Sequence, residues 1–182
     1  MPEEQLILVD ERNRAIGTAG KAAAHRRDLL HRAFSIFVVD ASGRIVLQQR
    51  NRKKYHSGGL WANSCCGHPR PGEDVAAAAL RRLVEEMGFT CALTGLGTVR
   101  YHAAFDNGLF EHEVVHVFRG VYDGPITPDP MEADGFQWAR LADIAADIAA
   151  TPERFSVWFR QYVAAEWPMA LASPGESGFN AR

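Results

Sequence analysis

The sequence predicts a single α/β (α+β) domain, a mixed β-sheet flanked by helices. Three observations carry that prediction. Apolar runs of strand length alternate with polar turns in the first half of the chain and recur between residues 98 and 138. Stretches with helical apolar spacing stand in the middle and near the end. The 182 residues, 47% hydrophobic and 23% charged, suit one buried core and fall short of two, with neither an internal repeat nor a linker to divide them.

The elements follow in order. Leu6-Ile7-Leu8-Val9 is a short strand closed by Asp10. Lys21 to Arg32 is polar and interrupted, a helical turn or an ordered loop. Residues 33–39 and 44–48 flank Asp40-Ala41-Ser42-Gly43, the pattern of a hairpin with glycine in its turn. Gly, Pro, Asn and Ser recur from Asn51 to Pro71, and loops of that length in compact domains usually serve function. A helix runs from about Asp74 to Met87, opened by an acidic residue and stopped by Gly88. Val75, Ala79, Leu83 and Met87 form its apolar stripe at four-residue steps, while Arg82 and Glu86 share another face. Residues 98–105, 112–122 and 136–138 read as strands. Leu141 through Trp167 is helical with a break near Thr151-Pro152, and Ser173 onward is a flexible tail.

A formal net charge of −2 argues against a general nucleic-acid or membrane-surface binder, so neither is expected as a partner. No apolar run approaches the roughly 20 residues of a membrane span, and the segment from Met1 to Gln5 lacks the basic start and apolar core of a signal peptide. Three cysteines, two of them adjacent, do not make a disulfide framework. Free thiols fit a reducing compartment, and a cytoplasmic monomer is expected.

Two linked segments carry the chemistry. Asn63-Ser64-Cys65-Cys66-Gly67-His68-Pro69 is followed at a fixed interval by Arg81-Arg82-Leu83-Val84-Glu85-Glu86-Met87-Gly88-Phe89. Gly67, Glu73 after five intervening residues, Arg81 after seven more intervening, and then Glu85, Glu86 and Gly88 resemble the Nudix signature, G-x5-E-x7-R-E-U-x-E-E-x-G-U with U apolar. Arg82 departs from it, standing where the signature has its second Glu. A diphosphate needs divalent metal, and hard cations take carboxylate oxygens, which points Glu86 at Mg2+. Glu85 is equally a surface partner for Arg81, four residues back. Exchanging a carboxylate for a guanidinium removes metal-binding capacity and adds a forked phosphate donor, so the site suits holding a diphosphate better than cleaving it. Pairing with Glu86 is the other reading of Arg82. Arg50 and Lys54, in the basic run from Arg50 to Lys54, and Lys21 are candidates to complete a diphosphate clamp.

A second metal candidate lies further along. Glu111 and Glu113 are two apart on a strand and project to one side with Val115 and Val117, whereas His112 and His116 point to the other. With His25, His31 and His68 they would make a shell of three nitrogens and two oxygens for Mn2+, Zn2+ or Mg2+, imidazole favouring the first two.

From about residue 6 to residue 160 the chain resembles the type I isopentenyl-diphosphate isomerases. The landmarks are Lys21-x3-His25, His31-Arg32-Ala33-Phe34-Ser35, Trp61-x-Asn63 through Pro69, Glu111-His112-Glu113-Val114 and Phe155-Ser156-x-Trp158. The resemblance implies a Nudix-like mixed-sheet sandwich over residues 1–172 and conversion of isopentenyl diphosphate to dimethylallyl diphosphate through a tertiary carbocation, in isoprenoid precursor biosynthesis. It implies one metal on His25, His31, His68, Glu111 and Glu113. Mg2+ on Glu86 and the Cys66 backbone carbonyl would meet the substrate diphosphate. Cys66 and Glu113 become the acid/base pair, Tyr101 a hydrogen-bond donor to Glu113, and Trp158 a ring face for the cation, or plain core packing on an amphipathic helix. Two departures stand out: His25 and His31 are only six apart, and Tyr55-His56-Ser57-Gly58-Gly59 replaces the family's T-F-P-G-like run. A Nudix hydrolase of a nucleoside diphosphate derivative is the alternative; it loses a ligand at Arg82 and has no role for the Cys66-Gly67-His68-Pro69 run.

Overall fold

A computed structural model describes residues 3–165. The end of the helix expected to reach Trp167, the boundary at residue 172 and the tail 173–182 lie outside them. The strands are β1 (Gln5–Val9), β2 (Ala15–Gly20), β3 (His31–Val39), β4 (Ile45–Arg50), β5 (Trp61–Ala62), β6 (Cys65–Gly67), β7 (Leu93–Ala104), β8 (Phe110–Val121) and β9 (Ala133–Ala139). The helices are α1 (Lys21–Arg26), α2 (Val75–Met87), α3 (Leu141–Ala150) and α4 (Val157–Ala164), with a 3-10 turn at Pro152–Arg154.

Central strand β3 organises the mixed sheet. Along one edge it runs parallel to β8, from His31 opposite Glu113 to Val39 opposite Val121. Three antiparallel strands share the other edge: β1 at His31, β6 at Phe34 to Ile36 and β4 at Val39. Outside these, β2 extends β1, β7 extends β8, and β5 and β9 flank β4.

Helices cover both faces. Phe34, Ile36 and Val38 pack with Val46, Cys65 and Phe118 beneath Ala78, Ala79, Leu83 and Met87 of α2. The alternate residues Ala33, Phe37 and Val39 pack with Leu47, Val115 and Val117 beneath Ile144, Phe155, Trp158, Phe159 and Tyr162. Helix α2 has the expected ends. Asp74 Oδ1 accepts from the Ala77 amide at 3.0 Å, offsetting an otherwise unpaired donor. Gly88 takes φ 73°, and a Cβ there would meet the Thr127 carbonyl oxygen at 2.3 Å. Val75 is only partly buried, and Ala78 joins the stripe instead.

Three segments differ from expectation. The stretch from Lys21 to Arg32 divides into α1, a turn and the start of β3. The expected loop from Asn51 to Pro71 holds β5 and β6, strands too short to show a period. Strand β2 carries no apolar alternation because, at the sheet edge, its side chains are largely exposed.

Candidate active site

Register brings the polar residues to one end of the α4 face. His31 opens β3 opposite Glu113 of β8, and Glu111 stands two residues earlier on the same side. In β6, Cys66 lies opposite Ser35 and Cys65 opposite Ile36. Alternation therefore buries Cys65 beneath α2 and turns Cys66 towards α4. Cys66, Glu111 and Glu113 line one cleft of about 710 Å3.

Helix α1 delivers His25, and the chain leaving β6 delivers His68. The donor atoms of His25, His31 and His68 all lie within 4.8 Å of one another. The six-residue interval between His25 and His31 is therefore no obstacle; the last turn of α1 and a turn through Asp28, at φ 55°, close it. His68 Nε2 is 3.0 Å and His31 Nε2 3.4 Å from the same Glu113 oxygen. Burial, then the neighbouring imidazoles, push His25 down to about 3, and burial also lowers His68. Both are neutral rings with lone pairs to offer. His25 Nε2, His31 Nε2 and His68 Nδ1 are buried without a hydrogen-bond partner among the described residues, an arrangement that is costly unless something binds there. Burial raises Glu111, and the charge of Glu113 raises it further. Burial opposes ionisation of Glu113 too, but His31 and His68 outweigh it and hold its carboxyl below the ordinary range. Three clustered imidazoles, two of them held neutral by burial, beside two crowded carboxyls fit a divalent cation.

The Cys66 thiol sits in a hydrogen-bonded chain. Tyr162 donates from its hydroxyl to Ser35 Oγ at 3.0 Å, Ser35 Oγ is 3.3 Å from Cys66 Sγ, and Cys66 donates to Asn63 Oδ1 at 3.2 Å. Asn63 uses its Nδ2 on the Ile36 and Cys65 carbonyls, at 3.0 and 3.2 Å, which leaves Oδ1 as the acceptor facing sulfur. Burial pushes the thiol up to about 12, so Cys66 carries its proton at neutral pH.

Lys21, Arg50, Lys54 and Arg82 all line the cleft, but three are already paired. Lys21 Nζ is 2.8 Å from Glu4, Lys54 pairs with Glu132, and Arg82 reaches Glu86, Glu85 at 2.8 Å and Glu132 at 3.1 Å. Arg50 has no carboxylate partner among the described residues; its guanidinium lies over the Trp158 ring, 5.1 Å from the centroid. Glu86 lines the cleft with its carboxylate held by Arg82 and by Gln48 Nε2 at 2.9 Å. Glu85 pairs with Arg81 at 3.2 Å as well as with Arg82.

Tyr101 and Trp158 have neighbours beyond those expected. Tyr101 is opposite Glu113 in the ladder, yet Glu111 is the stronger charged neighbour of its hydroxyl, which is buried without a hydrogen-bond partner among the described residues. Trp158 faces the cleft, but its cation in this structure is Arg50.

The NUDIX domain family matches residues 29–159. Among curated proteins, the isopentenyl-diphosphate Delta-isomerase of Burkholderia multivorans is 52% identical over 157 residues, covering 86% of this chain and 89% of its own. A second protein of that name, from Aromatoleum aromaticum, is 51% identical over 156 residues, covering 86% and 82%. This chain belongs to the isopentenyl-diphosphate Delta-isomerase family of NUDIX proteins. Solved structures agree on the fold. A Deinococcus radiodurans protein superposes with a TM-score of 0.75 at 21% identity, over 89% of this chain and 98% of its own. A MutT NUDIX hydrolase from Burkholderia pseudomallei gives 0.59 at 24%, over 74% and 96%.

In this isomerase-family chain, several cleft residues carry no local sequence signal. His56 Nε2 is 3.3 Å from Glu111, Tyr55 Oη is 2.9 Å from His25 Nδ1, and Glu132 gathers Lys54 and Arg82. Ser35, Asn63 and Tyr162 complete the thiol chain. Ser35 and Asn63 do fall inside the quoted motifs, and Tyr55 and His56 inside the run that departs from the family pattern.

Proposed function

We propose that the chain interconverts isopentenyl diphosphate and dimethylallyl diphosphate with Cys66 and Glu113 as the acid/base pair. The observation that carries this reading is that Cys66 and Glu113 line one cleft; burial favours the protonated thiol, and His31 and His68 favour the ionised carboxylate. The alkene π pair takes a proton at the terminal carbon, leaving a tertiary cation. A proton then leaves the carbon nearer the oxygen, and its C–H pair becomes the new double bond. One proton enters and one departs, so an acid and a base of matched placement suffice, and they exchange roles with direction. The Ser35 and Asn63 contacts support a thiol held in one orientation. Tyr101 acts on the Glu111/Glu113 pair, and the Trp158 ring shares its face between Arg50 and the cation.

Lys21, Arg50, Lys54 and Arg82 bind the diphosphate, with Arg50, which has no carboxylate partner among the described residues, as its first contact. Glu86 and the Cys66 carbonyl offer few protein oxygens, which supports Mg2+, an ion that takes remaining ligands from substrate phosphates and water. It would neutralise the diphosphate. His25, His31, His68, Glu111 and Glu113 would hold Mn2+ or Zn2+, with Mg2+ less suited to imidazole; that charge would keep both carboxylates ionised. Free Cys65, Cys66 and Cys91 support a reducing, cytoplasmic setting. No helix among the described residues is long and apolar enough to cross a membrane. We infer a monomer acting on a small diphosphate.

Incubation with Mg2+ and labelled isopentenyl diphosphate tests the reading. The allylic isomer should form, and thorough chelation should stop it. Release of phosphate instead would favour a hydrolase.

A further inference from the structure

On the face of β8 away from Glu111 and Glu113, His112 stands directly across the ladder from His102 of β7, their ring centroids 4.7 Å apart. Asp28, in the turn between α1 and β3, completes a group of three whose donor atoms lie within 4.8 Å of one another. Asp28 Oδ1 is 2.9 Å from His102 Nε2 and 3.4 Å from His112 Nδ1, and the Asp28 carbonyl oxygen is 3.3 Å from that same nitrogen. Two donors each about 2.0–2.1 Å from a tetrahedral Zn2+ stand roughly 3.3–3.4 Å apart. The Asp28–His112 separation matches that figure, the Asp28–His102 pair is shorter, and all three donor atoms lie close enough for small side-chain rotations to bring them onto one cation.

We propose that Asp28, His102 and His112 form a second divalent-metal site, for a borderline transition ion such as Zn2+, separate from the cluster of His25, His31 and His68. Two imidazoles and one carboxylate favour such ions over Mg2+ or Ca2+, which prefer oxygen. The side chains are roughly one-third to one-half exposed, so water completes the coordination and no core group moves to admit the ion. The backbone prepares the group. Antiparallel pairing fixes the two imidazoles opposite each other, and Asp28 holds φ 55°, a conformation that is uncommon outside glycine and is tolerated by Asp. Asp28 lies between His25 and His31, and His112 between Glu111 and Glu113. A cation here ties together, from outside the sheet, the His25–His31 segment and the strand that carries Glu111 and Glu113, two of the three segments that meet at the inner cluster.

Calorimetric titration of metal-stripped protein with Zn2+ tests the site without reference to turnover. Wild type should bind two equivalents, and His102→Ala one, with circular dichroism unchanged because His102 is at the surface. His68→Ala, aimed at the inner cluster, should keep one equivalent that the His68→Ala/His102→Ala double variant loses. Zn2+ should also raise the melting temperature of His68→Ala and leave the double variant at its metal-free value. The same stoichiometry in wild type and His102→Ala, whether one or two, would overturn the proposal by leaving Asp28 and His102 a plain ion pair. That comparison decides the matter even if His68→Ala does not fold.

Discussion

Truncating each of the adjacent cysteines to alanine should separate turnover from stability. Cys66→Ala removes one member of the proposed acid/base pair. A positioned acid or base contributes about 10²–10⁴-fold, or about 2.7–5.4 kcal/mol on the barrier at about 1.36 kcal/mol per tenfold. The same change leaves Asn63 Oδ1 without its S–H donor and the Ser35 hydroxyl without sulfur. At about 0.5–1.5 kcal/mol per hydrogen bond, folding stability should fall by about 1–3 kcal/mol. Cys65 is fully buried beneath α2. Losing its sulfur removes one packed heavy atom, comparable to an Ile→Val change at about 0.5–1.5 kcal/mol. Both variants should therefore lose similar, modest stability in urea titrations, whereas kcat for labelled substrate should differ by two to four orders of magnitude. Equal kcat in the two variants, at equal stability, would refute the assignment of the β6 faces to chemistry and packing.

Arg82→Glu should weaken substrate binding by at least tenfold, since a charge-assisted contact of about 1.5–3 kcal/mol is replaced by repulsion; unchanged substrate affinity would sink the phosphate role. Arg82→Lys keeps the charge but loses the fork, and Mg2+ affinity measured in both variants tells whether Arg82 instead serves Glu86. Burial that raises Cys66 to about 12 leaves roughly one thiol in ten thousand ionised at pH 8. Iodoacetamide labelling of Cys66 should therefore be about 10³-fold slower than a free thiol at pH 8 and quicken about tenfold per pH unit, as mass spectrometry reads it. Labelling at a free-thiol rate would contradict the burial argument. Tyr162→Phe should lower kcat several-fold with KM unchanged, because the hydroxyl reaches the thiol only through Ser35; a raised KM with kcat intact would place Tyr162 on substrate.

What the sequence made legible was local. Asp74, Gly88 and the stripe of Ala79, Leu83 and Met87 lie within one helix, so capping and period identify α2 without tertiary information. Glu111 and Glu113 were placed on one side by a period of two, and the structure keeps that parity. The i to i+4 spacing already offered Arg82 to Glu86. Its third partner, Glu132, is 50 residues away, and no spacing rule reaches that far. Tyr162 and Ser35 are 127 residues apart, and they meet only because α4 packs on the β3 face. His56 belongs to the cleft for the same kind of reason: Glu111 arrives on a strand whose parallel register with β3 is set by the whole sheet. Strand β2 carries no sequence signal, because an exposed edge imposes no apolar alternation.

Arg82 shows how little need change on a Nudix helix to alter what the cleft can hold. The signature's Glu85 and Glu86 are retained, yet in this chain one guanidinium engages both, together with Glu132. Three carboxylates around one cation no longer present the open, anionic surface that would gather several metal ions. Hydrolysis draws on such ions to bind phosphate and activate water together. Isomerisation needs the diphosphate held intact while protons move elsewhere. The residues proposed for that second task stand apart from α2, on β6 and β8, where Cys66 and Glu113 line the same cleft. With Arg82 on α2 proposed for the diphosphate and Cys66 and Glu113 proposed for the alkene, binding and chemistry would be divided within one fold.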